Sequence, residues 1–245
     1  MLKILSYPVS VLYYTCFLII LVIFHPIQWF CFNVFGYKAH KKSVDFLQFF
    51  LVHCTKILGT RVSFKNGQNI PLNTPLIIVA NHQSMYDISP IMWYMRRHHT
   101  KFISKMELGK GIPSVSYNLR HGGSVLIDRK NPRQSLPAIM KFGEYIETNK
   151  RAAVIFPEGT RSKNGAPKAF QTKGLEILFK KIPSALVVPI SINNSWKMQR
   201  YGTFPMGLGT HIKFKVHKPL IVKDYKDKSE LISSIESTIK ADIHH

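Results

Sequence analysis

A histidine and an aspartate five positions apart, His82 and Asp87, are the side chains of this sequence best suited to move a proton together. A carboxylate bound to one imidazole nitrogen fixes the tautomer of the ring and stabilises the cation that forms when the other nitrogen takes up a proton. In one regular helix the two side chains would point about 140° apart, so we expect His82 to precede a helix and Asp87 to lie in its first turn. The pair predicts a general base. The same spacing is also typical of a loop histidine that precedes a helix with a charged residue in its first turn. The choice between these two interpretations therefore depends on the surrounding residues.

Ser84 lies between the two and is a second candidate, because its hydroxyl could act as a nucleophile beside His82. The glycine pattern of a strand–turn–helix nucleophile elbow is missing around it. Direct transfer of a group between two substrates needs no covalent enzyme intermediate. We therefore predict that His82 acts on a substrate hydroxyl and that Ser84 forms no covalent bond.

Three basic residues, Lys105, Arg129 and Arg161, each follow the end of a strand-like run. Ligands of α/β sheets bind in the crevice beyond the carboxyl ends of the strands. An arginine offers a fixed fork of donors that matches a phosphate group. One cation in such a place is usually a solvated strand terminus, but three of them near His82 predict a phosphate-binding crevice.

The last of these runs continues into Pro157, Glu158, Gly159, Thr160 and Arg161. A strand that ends in Pro-Glu-Gly stops sharply, which frees backbone amides and presents the arginine at the sheet edge. We therefore count Glu158, Gly159 and Thr160 among the candidate substrate-binding residues.

Strands and helices alternate after residue 60, which predicts an α/β sheet covered by helices. The predicted strands are residues 61–65, 76–80, 101–104, 124–127, 153–156, 186–192 and 211–216. The predicted helices are residues 88–96, 132–147, 172–180 and 228–243. The second strand is a continuous apolar run that ends just before His82, so the proposed base lies at the carboxyl end of a buried strand.

The N-terminal part of the chain predicts a membrane anchor. Residues 9–24 are uncharged and apolar, Pro26 should kink or break the helix there, and residues 44–58 form a second apolar helix. A signal peptide is the competing interpretation, but no small-residue cleavage site follows. We expect residues 1–60 to be two anchoring helices, which enter one leaflet or span once and return, and residues 61–245 to be the catalytic domain.

Composition favours an anionic membrane surface as a partner. Lys and Arg outnumber Asp and Glu by 34 to 13, for a formal net charge of +21, yet 45% of the residues are hydrophobic. No recognition-helix pattern or RNA-binding aromatic motif is present, so we expect no nucleic acid partner. The three cysteines have no metal-ligand spacing, and we expect neither a metal nor a cofactor.

Residues 76–192 resemble the glycerolipid acyltransferases, and among them the bacterial 1-acyl-glycerol-3-phosphate acyltransferases. The family blocks occur in order at residues 81–87 (NHxxxxD), 123–129, 156–161 (FPEGTR) and 188–190, with a KxELxxxP-like segment at 105–113. In the second block, Leu126 stands where many members carry Phe. One block alone is a weak signal, whereas all of them in order are a specific one.

The resemblance implies the glycerolipid acyltransferase fold, a mixed sheet flanked by helices, and transfer of a fatty acyl group from acyl-CoA or acyl-carrier protein to the sn-2 hydroxyl of lysophosphatidic acid. His82 would be the general base oriented by Asp87, while Lys105, Arg129 and Arg161 would bind the phosphate. It also implies the cytoplasmic face of a bacterial inner membrane. An acceptor with a larger headgroup and a non-catalytic protein that binds anionic lipid remain alternatives.

The same resemblance offers two roles for Glu158, which would either hydrogen-bond the acceptor or order the arginines.

Overall fold

The computed structural model describes residues 2–244, and in this part of the chain eight strands form one mixed sheet. The strands are β1 (Arg61–Lys65), β2 (Leu76–Ala80), β3 (Thr100–Lys105), β4 (Val125–Ile127), β5 (Ala152–Ile155), β6 (Leu186–Asn193), β7 (His211–Val216) and β8 (Leu220–Ile221). Their order is β1-β7-β6-β2-β5-β3-β4, with β8 beside β6. The predicted fold class is confirmed.

The sheet brings the carboxyl ends of its middle strands to one edge. β6, β2, β5, β3 and β4 run parallel to one another, whereas β7 and β8 pair with β6 in the antiparallel direction. The segments that follow β2, β3, β4 and β5, which carry the candidate site residues, therefore start at the same edge.

Helices cover both faces of the sheet. They are α1 (Leu2–Cys54), α2 (Ile88–Tyr94), α3 (Val115–His121), α4 (Pro132–Asn149), α5 (Thr172–Lys181) and α6 (Lys228–Ala241). Ile77 and Val79 of β2 pack in a core with α4, α5 and α6, while Leu76 and Ile78 pack in a second core with α1 and α2. Successive side chains of a strand point to opposite faces, so β2 must be apolar throughout to be buried on both.

The N-terminal helix α1 reverses direction at Gly36, not at Pro26. Helix continues through Pro26, and the backbone leaves helical geometry at Gly36, where φ is 74° and ψ is −163°. We expected a kink or a break at Pro26, and the break is wrong. A proline can be kept within a helix at the loss of a hydrogen bond, whereas only glycine readily adopts the backbone angles of the turn at Gly36. The two arms lie side by side, since the rings of Phe24 and Phe50 are 5.7 Å apart and those of Phe32 and His40 are 5.4 Å apart.

The inner side of α1 is fastened to the rest of the chain. The Ser114 amide donates to Nδ1 of His25 (3.0 Å), and the Met206 amide donates to the Ser10 hydroxyl (2.7 Å). The outer side is apolar and exposed: in the described chain one segment, Leu2–Leu58, is long and apolar enough to cross a membrane, and its most apolar window is only 17% buried. Its composition points to membrane association, with one candidate span rather than two.

The structure contains two elements, α3 and β8, that the sequence did not predict. The short helix α3 lies between Pro113 and Gly122 and shows no clear periodicity in sequence, and β8 has only two residues. Both depend on contacts with distant parts of the chain, such as the Ser114 link to α1 and the pairing of β8 with β6.

Candidate active site

Asn81 fixes the path of the chain at the point where β2 ends. Its side-chain amide donates to the Ile192 carbonyl (2.9 Å), and its side-chain oxygen accepts from the Ile192 amide (2.7 Å). The Asn81 side chain thus continues the hydrogen bonding between β2 and β6 by one residue beyond the end of β2. His82, the next residue, therefore leaves the sheet in a defined direction.

The turn after His82 places Asp87 against its ring. Ser84 caps the turn Met85–Asp87 by accepting from the Tyr86 amide (3.1 Å), while its own amide donates to the Asp87 carboxylate (2.9 Å). Nδ1 of His82 lies 2.8 Å from Oδ2 of Asp87. The structure thus brings the two predicted catalytic residues together, with Asp87 in the first turn as expected.

Asp87 is fully buried and surrounded by donors. Oδ2 accepts from the amides of Gln83 and Ser84 (2.8 and 2.9 Å) as well as from His82, and Oδ1 accepts from the hydroxyl of Ser195. With Nδ1 donating to this carboxylate, Nε2 of His82 is the ring nitrogen that carries the lone pair. Among residues 2–244 no hydrogen bond to Nε2 is present, so it is free to accept a proton from a bound substrate.

The His82 ring also contacts an aromatic side chain. It stacks on Phe156 with ring centroids 4.1 Å apart and planes 14° apart, and its side chain remains 14% exposed. Stacking and the Asp87 bond together fix the rotation of the ring and therefore the direction of Nε2.

The Glu158 carboxylate accepts hydrogen bonds from two backbone amides. Its carboxylate, almost fully buried, accepts from the amide of His82 (3.0 Å) and from the amide of Lys168 (3.2 Å). Burial raises the pKa of Glu158, and the two amide bonds oppose that shift. In this structure Glu158 orders the two segments beside the site through these amide bonds.

The neighbouring residues of the third block form a tight turn. Gly159 has a φ of 70° and a Cβ there would lie 2.9 Å from the Gln171 side chain, so the position requires glycine. The Gly159 carbonyl accepts from the Arg129 guanidinium, and the Thr160 hydroxyl accepts from Lys168 Nζ (2.8 Å). Partial burial lowers the pKa of Arg129, while nearby Glu107 opposes the shift.

The three predicted cations follow neighbouring strands but do not share one cavity. Arg129 lines a largely apolar cavity of about 470 Å³ between the ends of β3, β4 and β5, together with Ile103, Ile127 and Phe156. Arg161 lines a second cavity, of about 410 Å³, on the β6 side. Lys105 is exposed at the end of β3 and lines neither.

Sequence reasoning assigned no role to two residues of the site, Ser195 and Gln83. Ser195 begins the turn after β6, and its hydroxyl donates to the Asp87 carboxylate. Gln83 accepts from the Ser195 amide (3.0 Å) and donates to the Gly165 carbonyl (3.2 Å), and Lys168 ties down the segment after Arg161. Ser195 could have been found as a polar residue beyond the carboxyl end of a buried strand. In the described residues no group of three or more His, Cys, Asp or Glu could hold a metal.

The chain belongs to the acyltransferase family: residues 61–193, more than half of its length, match the family model described as Acyltransferase. Its fold resembles the crystal structure of the 1-acyl-sn-glycerophosphate (LPA) acyltransferase PlsC from Thermotoga maritima, with a TM-score of 0.78 and 25% identity over 98% of this chain and 95% of that one.

Among curated relatives, the 1-acyl-sn-glycerol-3-phosphate acyltransferase of Helicobacter pylori strain J99 is 35% identical over 133 residues, which are 51% of this chain and 54% of the relative. The 1-acyl-sn-glycerol-3-phosphate acyltransferase alpha of Ovis aries is 25% identical over 154 residues, 62% of this chain and 52% of the relative. The matched part of the chain thus spans about half the length of these relatives.

Proposed function

We propose that this protein transfers a fatty acyl group from a thioester donor, acyl-CoA or acyl-carrier protein, to the sn-2 hydroxyl of 1-acyl-glycerol-3-phosphate, which yields phosphatidic acid. The observation that carries the proposal is the bond between His82 and buried Asp87, which leaves Nε2 of His82 free at the edge of the sheet. Family membership and the names of the relatives support the same reaction.

The proposed mechanism needs no covalent enzyme intermediate. Nε2 of His82 takes the proton of the acceptor hydroxyl as its oxygen attacks the thioester carbonyl, and Asp87 stabilises the imidazolium. The tetrahedral intermediate then collapses, the carbon–sulfur bond breaks, and the thiolate takes the proton from His82. A thiol has a pKa of about 8.5, so the thiolate departs without a strong acid. General-base assistance of this kind contributes about 10²–10⁴-fold to the rate.

Ser84 has no place in this mechanism. Its hydroxyl is fully buried, accepts from the Tyr86 amide and lies 3.4 Å from Asp87, so it acts as the cap of the turn.

The acceptor would use the surfaces on either side of His82. The apolar cavity beside Phe156 suits a fatty chain, and Arg129 at its wall offers a guanidinium held by the Gly159 carbonyl. Lys105 and Arg161 add positive charge at the same sheet edge, which suits a phosphate-bearing acceptor.

We propose residues 1–60 as the membrane-anchoring helices and residues 61–245 as the acyltransferase domain, with the site on the cytoplasmic face of a bacterial inner membrane. The exposed apolar side of α1 and Lys38, Lys41 and Lys42 near its turn support contact with anionic lipid.

The test uses purified protein in detergent, acyl-CoA and lysophosphatidic acid, with release of free thiol as the readout. We expect wild-type protein to release thiol only when lysophosphatidic acid is present and His82→Ala to lose this activity. Lysophosphatidylcholine and lysophosphatidylglycerol serve as parallel acceptors. Equal rates in wild type and His82→Ala would contradict the mechanism, and faster acylation of a larger lysophospholipid would contradict the acceptor.

A further inference from the structure

A third cavity, of about 570 Å³, lies at the β1 end of the sheet, where the N-terminal helix joins it. This volume is within the usual range of small-ligand sites. Its walls come from the last turn of α1 and the link to β1, from the amino ends of β1 and β7, and from the end of α2. β7 and β6 lie between β1 and β2, and no residue of the candidate active site lines the cavity. We call it the β1-end pocket.

The charged lining of the β1-end pocket is entirely basic. Lys56, Arg61 and His211 line it at exposed positions, and none of its lining residues is acidic. Arg61 and His211 are direct partners in the pairing of β1 with β7, so their side chains start side by side. No Asp or Glu occurs in residues 46–86, 88–106 or 177–223, which supply all of the walls. Among residues 2–244 neither Lys56 nor Arg61 makes an ion pair, so both charges are available to an anionic ligand.

A buried hydroxyl that lacks a partner lines the same pocket. Thr60 is only 3% exposed, yet within the described chain its hydroxyl makes no hydrogen bond. The backbone around it is fixed, because the Thr60 amide donates to the Thr55 carbonyl (3.3 Å) and the Gly59 amide donates to the Lys56 carbonyl (2.8 Å). Buried polar groups are nearly always hydrogen-bonded. An oxygen of a bound ligand would supply the missing partner, so Thr60 adds an uncharged donor to the cations.

Two histidines of the pocket each have one ring nitrogen held by the protein. Nδ1 of His53 lies 2.8 Å from the Phe49 carbonyl and therefore carries a hydrogen, and Nε2 of His211 lies 3.0 Å from the Ser63 hydroxyl. Each ring keeps its other nitrogen, which donates to an anion once it is protonated. The two rings are thus oriented before a ligand arrives.

An apolar surface leads from the membrane segment to the pocket. The segment that is long and apolar enough to cross a membrane ends at Leu58, within the stretch that lines the pocket. Phe46 and Phe50 precede His53 by seven and three residues, so the three lie on one face of α1, and both phenyl rings are about half exposed. Tyr94, in the pocket wall, is exposed as well, and tyrosine is enriched at the level of lipid headgroups. A ligand can therefore place an anionic group among the cations and an apolar chain along Phe50 and Phe46.

We propose that the β1-end pocket binds the phosphate of an anionic membrane phospholipid, at a place separate from the substrate site beside His82. Inorganic phosphate has the required charge but leaves the apolar path along Phe50 without a partner. A zwitterionic lipid would bring a cation of its own to a lining that is already basic. The inference does not depend on the proposed reaction. A bound lipid contacts α1 and β1 together and so holds this end of the sheet at the level of the headgroups.

The first test measures lipid binding without catalysis. Titration of the full-length protein in a non-ionic detergent with dioctanoyl phosphatidylglycerol gives a dissociation constant. We expect the double variant Lys56→Gln, Arg61→Gln to weaken binding about tenfold, because it removes two charge-assisted contacts. The double variant Lys223→Gln, Arg133→Gln removes the same charges at exposed positions outside the pocket and should leave the constant unchanged. Wild-type affinity in the first double variant, or equal weakening in both, overturns the proposal.

Thr60→Val keeps the shape of the side chain and removes only its hydroxyl. Without lipid, its melting temperature should be no lower than that of wild type, because the hydroxyl has no partner in the protein. Its affinity for dioctanoyl phosphatidylglycerol should nevertheless fall about three- to tenfold, as the loss of one hydrogen bond predicts. A lower melting temperature together with unchanged affinity would overturn the place of Thr60 in the site.

Three further titrations distinguish the site and the source of the phosphate. Arg129→Gln changes the candidate active site and should leave the affinity for phosphatidylglycerol unchanged. Weakening as large as that in the Lys56, Arg61 double variant would place the lipid at the acceptor site and overturn the proposal. Inorganic phosphate and dioctanoyl phosphatidylcholine should each bind wild type at least tenfold more weakly than phosphatidylglycerol does. Equal affinity for inorganic phosphate would identify a site for a soluble ion, and equal affinity for phosphatidylcholine would show that the net charge is not recognised; either result overturns the proposal.

Discussion

Asp87→Asn separates the charge of the catalytic pair from its geometry. Three N–H groups, from His82, Gln83 and Ser84, converge on Oδ2 of Asp87, whereas Oδ1 faces the hydroxyls of Ser84 and Ser195. An asparagine can place its oxygen toward the N–H groups and its amino group toward the hydroxyls, which can rotate to accept. The fold of the turn should therefore survive while the negative charge is lost.

The expected loss of rate follows from the role of that charge. Without the carboxylate of the fully buried Asp87, the imidazolium that forms on His82 has no ionic partner. We expect kcat to fall by about 10²–10⁴-fold, the range that general-base assistance supplies. The KM for lysophosphatidic acid should change little, because Asp87 lies behind the ring and does not face the substrate.

Asp87→Ala serves as the contrasting variant. It leaves the same three N–H groups without an acceptor in the interior, and each such group costs about 1–3 kcal/mol. Its melting temperature should therefore fall, whereas that of Asp87→Asn should stay near wild type. Thermal unfolding followed by circular dichroism distinguishes the two.

The assay is thiol release at saturating acyl-CoA, measured for Asp87→Asn, His82→Ala and the double variant. Since the two residues act as one unit, the double variant should be no slower than the slower single variant. A kcat for Asp87→Asn within about threefold of wild type, in a protein of normal stability, would refute the role given to the pair.

Three further predictions address the acceptor, a buried lysine and the hairpin. Arg129→Lys removes the fork held by the Gly159 carbonyl and should raise the KM for lysophosphatidic acid more than the KM for acyl-CoA; the reverse order would contradict an acceptor role. Burial, assisted by Arg151 and Lys41, lowers the pKa of Lys101 from 10.5 to about 7. Lys101 therefore stabilises the folded state most above pH 10.5, and this contribution is lost as the pH falls toward 7. The melting temperature of wild type relative to that of Lys101→Met should thus rise between about pH 7 and pH 10. Plots of melting temperature against pH that run parallel for the two proteins would contradict this prediction. Gly36→Ala should lower stability by about 1–3 kcal/mol through backbone strain alone, since no atom lies within 4 Å of the added Cβ; an unchanged melting temperature would show that the turn tolerates side chains.

The strands could be predicted closely because their signals are local. β1, β2 and β7 have the predicted bounds, and β3, β4, β5 and β6 differ by one residue at one or both ends. The proximity of His82 and Asp87 was also predictable, since five residues of chain and one turn connect them.

What could not be predicted depends on residues far apart in sequence. Ser195 reaches Asp87 across 108 positions, and no local pattern marks that contact. Arg129 follows β4 and Arg161 follows β5, two strands that β3 separates in the sheet, and their side chains line different cavities. The turn at Gly36 was overlooked for a related reason: a glycine shows its effect only through its backbone angles, whereas a proline is conspicuous in any sequence.

The hairpin of α1 also bears on how the protein is made. Synthesis runs from the N-terminus, so both arms and the turn at Gly36 leave the ribosome before any strand of the sheet exists. Tyr13 lacks its buried surroundings at that stage, and Ser10, whose hydroxyl bonds the Ser6 carbonyl within the helix, has not yet met the Met206 amide. The strands, and His82 at the end of the second of them, therefore join a chain in which both arms of α1 have already been synthesised.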